Sequence, residues 1–261
     1  MAKICSLFSG SSGNCVYIEN NGTALLVDAG VSAKRICEAL SERGLDIEKI
    51  KAIFVTHEHN DHATGVKVFS TRHKIPVYAT AGTFKGMEEK GYLNEKVDCN
   101  ILEDETDLKN IGVKHFATSH DTYESCGYTF DLGSQKIAVC TDLGTVTEEV
   151  DSAILGSSAV VLESNHDVKM LQNNSMYPFP LKRRILSEKG HLSNTSCADE
   201  SVKLIKTGAK RIILAHLSKE NNLPFLASET TESMLKLCGM EKGEDYLLSV
   251  AAPQGNDIII I

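Results

Sequence analysis

A hexapeptide rich in metal-binding side chains follows directly on an apolar run, and this pairing constrains the fold more than any other feature. Residues 52–56 are Ala-Ile-Phe-Val-Thr, and residues 57–62 are His-Glu-His-Asn-Asp-His. A short apolar run is typical of a buried strand. Two histidines one residue apart at its end can turn both imidazoles to one ion, while Asp61 and His62 face a second. The sequence therefore predicts a strand that ends in a metal site.

Four further apolar runs also end in an acidic residue or a histidine. These runs occupy residues 25–27, 116–119, 138–141 and 213–215, and they lead to Asp28, His120, Asp142 and His216. Buried strands deliver functional side chains at their ends, where loops lie over a rigid scaffold. We therefore expect these side chains and the hexapeptide to converge on a single site.

Short apolar strands alternate with helical segments along the chain. The predicted strands are 3–8, 14–19, 23–27, 51–56, 76–79, 111–117, 126–132, 136–141, 158–163, 211–215, 245–250 and 257–261. The predicted helices lie near 32–43, 63–73, 82–90, 194–207 and 225–238. With 42% hydrophobic and 24% charged residues, the composition is that of a globular protein. We expect an α/β or α+β fold in one domain over residues 1–261.

Composition and charge argue against several classes of protein. No apolar stretch approaches 18 residues, so no membrane helix is expected. The N-terminal run is too short for a signal peptide, and the eight scattered cysteines indicate a reduced, cytoplasmic protein. A net charge of −8 argues against a general basic nucleic-acid binder. Metal ions would still make a site locally cationic, and the basic triplet 182–184 fits a substrate contact or a solvated helix face equally well.

The ordered series of ligand residues resembles the five motifs of the metallo-β-lactamase superfamily. The resemblance extends over about residues 3–250 and implies a four-layer αβ/βα sandwich, the metallo-β-lactamase fold, with a dinuclear metal site. The implied ligands are His57, His59 and His120 for one ion, Asp61, His62 and His216 for the other, and Asp142 as the bridge. Asp28 resembles an aspartate that orients ligands without binding metal, a role that ligating imidazoles usually require.

Two ligand positions narrow the substrate class within this superfamily. The β-lactamases commonly place Cys where this chain has Asp142, so antibiotic hydrolysis is not expected. Flavo-diiron oxidoreductases replace the second His of the cluster by an acid, whereas His59 is intact here. Glyoxalase-type thioesterases share the ligand set, so that alternative stays open.

Two further segments resemble those of tRNA 3′-processing endonucleases. Residues 163–166 are Glu-Ser-Asn-His after an apolar run, and residues 190–194 are Gly-His-Leu-Ser-Asn, with Leu192 as an insertion relative to that family. The resemblance implies that His191 and Glu163 together protonate the departing oxygen, since a His tuned by a carboxylate can serve as an acid. His166 contacts either substrate or the protein core.

With the Ser-Gly-Ser-Ser-Gly-Asn-Cys segment at residues 9–15, these motifs together resemble the YycJ/WalJ-like subfamily of small bacterial proteins. That resemblance implies a 5′→3′ DNA exonuclease with two divalent ions, most simply zinc but also manganese or iron. Such ions lower the pKa of a bridging water, and Asp61 would help position this nucleophile. Glycines let backbone N–H groups approach an anion, so Ser11, Ser12 and Asn14 are candidate phosphate contacts, although a tight turn also explains the segment.

Two other functions stay open at this point. A small-molecule metallo-hydrolase would act on a cyclic phosphodiester or a thioester and would not respond to DNA length. A non-catalytic regulatory protein on the same fold predicts eroded ligands, whereas all seven implied ligands are present. The sequence predicts DNA as substrate, no membrane association and no obligate protein partner.

Overall fold

The strands follow the predicted pattern in a computed structural model that describes residues 2–261. They are β1 (Ala2–Phe8), β2 (Cys15–Asn20), β3 (Thr23–Val27), β4 (Ile50–Phe54), β5 (Val77–Ala79), β6 (Cys99–Ile101), β7 (Thr106–Asp107), β8 (Gly112–Ala117), β9 (Cys126–Asp131), β10 (Lys136–Cys140), β11 (Ala159–Glu163), β12 (Arg211–Ala215), β13 (Leu247–Val250) and β14 (Ile259–Ile260). Each predicted strand is present. The sequence did not predict β6 and β7, because two or three partly exposed residues carry no alternating pattern.

The helices are shorter and more numerous than the periodicity predicts. They are α1 (Ala33–Glu42), α2 (Asn60–Ala63), α3 (Val66–His73), α4 (Ala81–Glu89), α5 (Glu148–Ile154), α6 (Val168–Asn173), α7 (Phe179–Ile185), α8 (Asn194–Lys206) and α9 (Pro224–Leu237), with a 3-10 helix at Ile47–Lys49. None of those within residues 2–261 combines the length and hydropathy that crossing a membrane requires.

The helix predicted near 63–73 is present as α3 but begins at Val66, because Gly65 interrupts the helical backbone between α2 and α3. The Gly65 N–H donates to Ala29 O at 2.7 Å, and a Cβ at Gly65 would lie 2.0 Å from Val31 O. This close approach of two backbones needs a glycine. The interruption gives the second half of the hexapeptide a short helix of its own, so that Asp61 and His62 occupy its first turn.

Two seven-stranded sheets contain these strands. The first sheet has the order β14-β1-β2-β3-β4-β5-β6, antiparallel from β14 to β3 and parallel from β3 to β6. Strands β7 to β13 belong to the second sheet, in which β10, β11, β12 and β13 run parallel. Parallel neighbours need crossover connections, and the helices supply them. Two mixed sheets with helices confirm the predicted α/β class.

Internal contacts divide the chain into two compact units. The first comprises residues 1–115, 122–134 and 252–261, and the second comprises residues 116–121 and 135–251. In the first unit, Leu26 and Phe69 belong to a buried apolar cluster. In the second, Leu162 and Leu214 of β11 and β12 belong to another. A single domain over residues 1–261 stays a prediction.

Candidate metal centre

Three predicted site residues at strand ends have a left-handed backbone. Asp28 follows β3 with φ +63°, Asp142 lies two residues beyond β10 with φ +59°, and His216 follows β12 with φ +56°. Non-glycine residues adopt this region rarely, and such conformations cluster at functional sites. The carboxylates and imidazole therefore project from sharp turns directly after buried strands.

In the first unit, the hexapeptide gathers four predicted ligands. The ring of His57 lies with its centroid 4.6 Å from that of His59 and 4.1 Å from that of His62. His62 Nε2 lies 3.5 Å from Asp61 Oδ2. His57 and His62 are fully buried, whereas His59 and Asp61 are half-buried. Three imidazoles and one carboxylate that could bind metal therefore lie together within residues 57–62.

Asp28 lies directly behind this cluster, where it orients His62. Its Oδ2 atom accepts a hydrogen bond from His62 Nδ1 at 2.8 Å, and its Oδ1 atom accepts from the Thr56 N–H at 2.8 Å. Burial raises the pKa of Asp28, although His62 and Thr56 act to lower it. Because Nδ1 of His62 donates, its Nε2 is left with the lone pair that a metal needs. The Thr56 hydroxyl also contacts both carboxylate oxygens, a contribution that the sequence did not indicate.

Asn14 of the Gly/Ser segment contacts this cluster. Its Nδ2 atom lies 3.0 Å from His62 Nε2 and 3.4 Å from Asp61 Oδ2, while its Oδ1 accepts from the Gly10 N–H at 2.8 Å. Asn14 is buried, and Ser11 and Ser12 are exposed in the preceding turn. The Asn14 side chain therefore contacts two of the predicted ligands, and its contact with phosphate stays a prediction.

In the second unit, the buried carboxylate of Glu163 holds two imidazoles together. Its Oε1 atom lies 2.8 Å from Nδ1 of both His191 and His216. Its Oε2 atom accepts the N–H groups of Leu143 and Leu192, each at 3.0 Å. The inserted Leu192 is therefore part of the site, because its buried position brings this N–H to the carboxylate.

The charges in this cluster stabilise one another. Burial acts to raise the pKa of Glu163, but the imidazoles of His191 and His216 outweigh it and lower that pKa to about 2. Burial acts to lower the pKa of His191, but Glu163 and Asp142 outweigh it and raise that pKa. An ionised carboxylate between two imidazoles is the consequence. Both rings then donate from Nδ1 and present Nε2 on their opposite side.

Asp142 and His120 complete the second unit's donor set. Asp142 Oδ1 lies 3.5 Å from His216 Nδ1 and 3.8 Å from His120 Nε2. His120 Nδ1 donates to the Gly190 carbonyl at 3.0 Å, so its Nε2 is left with the lone pair that a metal needs. Asp142, Glu163, His191 and His216 each offer a ligand atom within 4.8 Å of the others.

Buried polar residues fix the backbone around this cluster, among them Asn222, which the sequence did not single out. Asn222 donates to the carbonyls of Ser164 and Asn165, and its amide exchanges hydrogen bonds with that of Asn194. All four residues are buried. Single Ser and Asn residues give no signal in a sequence, so the network was not predicted.

His166 is buried beside this network, with 1% of its surface exposed. Neither ring nitrogen has a hydrogen-bond partner within residues 2–261. Burial lowers its pKa to about 4, against the opposing effect of Glu163, so the ring is neutral. Its carbonyl accepts from the Asn194 N–H at 2.9 Å, which ties it to the start of α8. This position favours packing, and substrate contact by His166 stays a prediction.

These residues correspond to a known family. The sequence model of the metallo-β-lactamase superfamily matches residues 9–216. The chain belongs to this superfamily. The match spans the hexapeptide and ends on His216, the last of the predicted ligands. The fold and its His/Asp cluster together indicate divalent metal binding.

Two relatives extend the similarity over almost the whole chain. The exodeoxyribonuclease YycJ of Bacillus anthracis is 38% identical over 251 residues, which cover 95% of this chain and 94% of the relative. The exodeoxyribonuclease WalJ of Streptococcus pneumoniae is 36% identical over 256 residues, which cover 96% and 94%. The predicted resemblance to the YycJ/WalJ-like subfamily is confirmed.

A solved structure shows the same fold. The metallo-β-lactamase fold protein YhfI of Bacillus subtilis superimposes with a TM-score of 0.73 at 13% identity, covering 99% of this chain and 98% of its own. At that identity the similarity concerns the fold alone. It confirms the predicted metallo-β-lactamase fold for this member of the superfamily.

Proposed function

We propose that this chain is a metal-dependent exodeoxyribonuclease that hydrolyses DNA from the 5′ end. The two relatives of 36–38% identity are exodeoxyribonucleases and match over nearly their full length. The observation that most favours hydrolysis of a phosphodiester is the hydrogen bond between Glu163 Oε1 and His191 Nδ1 at 2.8 Å. It holds a proton donor for the departing oxygen, which a thioester needs less because a thiolate leaves readily without protonation.

Two divalent ions are proposed to bind among these donor atoms. The proposed ligands are His57, His59 and His120 for one ion, Asp61, His62 and His216 for the other, and Asp142 between them. Nδ1 of His62, His120 and His216 each bonds to an oxygen of the protein, which leaves Nε2 for the metal. Imidazole and carboxylate suit zinc, and manganese or iron are the alternatives. When bound, the ions supply Lewis acidity for attack on the phosphorus.

His191 is proposed as the acid that protonates the departing oxygen. Its Nδ1–H donates to Glu163, and the imidazole is the partly accessible member of the pair, with 21% of its side chain exposed against none for Glu163. The carboxylate fixes the ring and favours the protonated imidazole, so Nε2 can release a proton as the oxygen leaves. Asp61 is proposed to help position the attacking water, and the exposed Ser11 and Ser12 to contact phosphate.

The test is nuclease activity of protein loaded separately with zinc, manganese or iron. Single-stranded and duplex DNA labelled at the 5′ end are digested, and His59→Ala is the control. We expect stepwise release of 5′ nucleotides by the wild type and none by the variant. Hydrolysis of a small phosphodiester or thioester without DNA digestion would instead identify a small-molecule hydrolase. A metal-bound wild type that hydrolyses neither DNA nor a small substrate would instead indicate a non-catalytic regulatory protein.

A further inference from the structure

One exposed helix combines aromatic, apolar and positively charged side chains in a chain of net charge −8. Helix α7 carries Phe179, which is 75% exposed, and Arg183, which is also exposed. Met176 just before the helix is 85% exposed, and Leu186 just after it is 43% exposed. We name this surface, residues 176–189, the α7 surface. Large apolar residues exposed together with cations mark an interaction site more often than a random solvated face.

The spacing places the key residues on one side of the helix. Phe179, Arg183 and Leu186 stand at positions i, i+4 and i+7, which share a face of an α-helix. Arg183 and Lys189 form no ion pair with any other residue within 2–261. By contrast, the Lys182 ammonium donates to the Gln172 carbonyl, and Arg184 pairs with Asp121. Arg183, one helical turn from Phe179, and Lys189, beyond the end of α7, therefore keep positive charges that no ion pair engages.

The end of this helix is attached to the proposed acid. The His191 N–H donates to the Ile185 carbonyl at 3.0 Å, and a Cβ at Gly190 would lie 2.4 Å from Arg184 O. Asp121, the partner of Arg184, lies 3.7 Å from His120 Nε2 through its other oxygen. The C-terminal end of the α7 surface is therefore joined to His191 directly and to His120 through Asp121.

We propose that the α7 surface binds the single-stranded part of the DNA substrate, with Phe179 stacking on a base and Arg183 and Lys189 contacting phosphates. This inference rests on the proposed function. An exposed ring beside unpaired cations is the combination that single-strand binding proteins use. Bases within a duplex are already stacked on each other and offer no face to Phe179. An acidic chain gains local affinity for phosphate only where cations cluster.

The test compares Phe179→Ala with Phe225→Ala in the metal-loaded enzyme. Phe225 is a matched control because it also follows a proline at the start of a helix and is 71% exposed, but Glu229 and Glu232 surround it. On a 5′-labelled oligothymidylate we expect Phe179→Ala to raise KM about tenfold, the typical effect of losing one stacked base. Phe225→Ala should leave this KM unchanged, and neither substitution should change kcat for bis(p-nitrophenyl) phosphate.

The charge component has its own measurement. Binding of a fluorescent oligothymidylate is followed by anisotropy at several salt concentrations. Arg183→Ala should lower the slope of log affinity against log salt by about 0.7, the value for one phosphate contact to a single strand. Arg72→Ala, an exposed arginine on α3, should leave the slope unchanged.

Several outcomes separate this inference from the proposed function. Unchanged KM and salt slope in both α7 variants would overturn the inference while DNA digestion by the wild type upholds the nuclease. An equal loss on blunt duplex would also overturn it, because stacking on Phe179 needs an unpaired base. Oligonucleotide binding that depends on Phe179 and Arg183, without any digestion, would support the surface and refute the exonuclease.

Discussion

A Gln at position 163 cannot accept all four hydrogen bonds that the Glu163 carboxylate accepts. One carboxylate oxygen accepts from the imidazoles of His191 and His216, and the other accepts two backbone N–H groups. A Gln offers only one acceptor oxygen. If its NH₂ faces the backbone, two N–H groups lose their acceptor. If it faces the rings, His216 must accept at Nδ1 and carry its proton on Nε2, where the metal is proposed to bind.

The magnitude follows from the pKa of Glu163. The folded protein lowers this pKa from 4.5 to about 2, which corresponds to about 3 kcal/mol of stability at neutral pH. Since the folded pKa is the lower one, this stabilisation is complete above about pH 4.5 and disappears as the pH falls toward 2. We expect Glu163→Gln to lower the Tm of the metal-free protein by roughly 6–12 °C. Metal affinity should fall about 10- to 100-fold, as for other changes behind a ligand.

The assay is thermal unfolding monitored by circular dichroism, together with metal titration of the same samples. Glu200→Gln is the matched control, because Glu200 is buried in the same unit but pairs with Lys203 instead of an imidazole. It should change metal affinity little. A Glu163→Gln protein with wild-type Tm and wild-type metal affinity would refute the account of this carboxylate.

Three further variants test the rest of the site. Gly30→Ala places a Cβ 1.6 Å from Asp61 O, so the hexapeptide must shift. We expect the free energy of unfolding, measured in urea, to fall by several kcal/mol. A variant as stable as the wild type would contradict this packing. Thr56→Val removes the hydroxyl that donates to Asp28 and should cost about 1–3 kcal/mol, again measured in urea. His191→Ala should lower kcat on DNA about 10²- to 10⁴-fold with metal content unchanged, and full turnover at neutral pH would refute the acid.

Local patterns indicated the proposed metal ligands, because imidazole and carboxylate groups are concentrated in a few residues. The hexapeptide holds four of the predicted ligands, and each of the others follows a strand that the apolar pattern also predicts. Asp28 was predicted as an orienting residue, and it contacts His62 directly. Glu163 and His191 were predicted from a resemblance, and they lie 2.8 Å apart. Clusters of His and Asp at strand ends are recognisable in a sequence because few other roles require them.

The remaining features were not predictable for physical reasons. Helices α5, α6 and α7 have six or seven residues each, too few for a 3.6-residue period to stand out. Thr56 and Asn222 act by hydrogen bonds to atoms distant in sequence, and these residue types occur everywhere. The basic triplet at 182–184 fits two interpretations in the sequence, and only the partners of Lys182 and Arg184 distinguish Arg183 from these neighbours.

The left-handed residues connect the stability of the scaffold with its proposed function. A glycine would adopt φ near +60° freely, whereas Asp28, Asp142 and His216 each carry a strain of about 1 kcal/mol or more there. The buried strands before them make up for this strain, since β3, β10 and β12 are almost fully covered. A turn that served packing alone would favour glycine. Side chains that bind or orient a metal are a sufficient reason to retain Asp and His at these three turns.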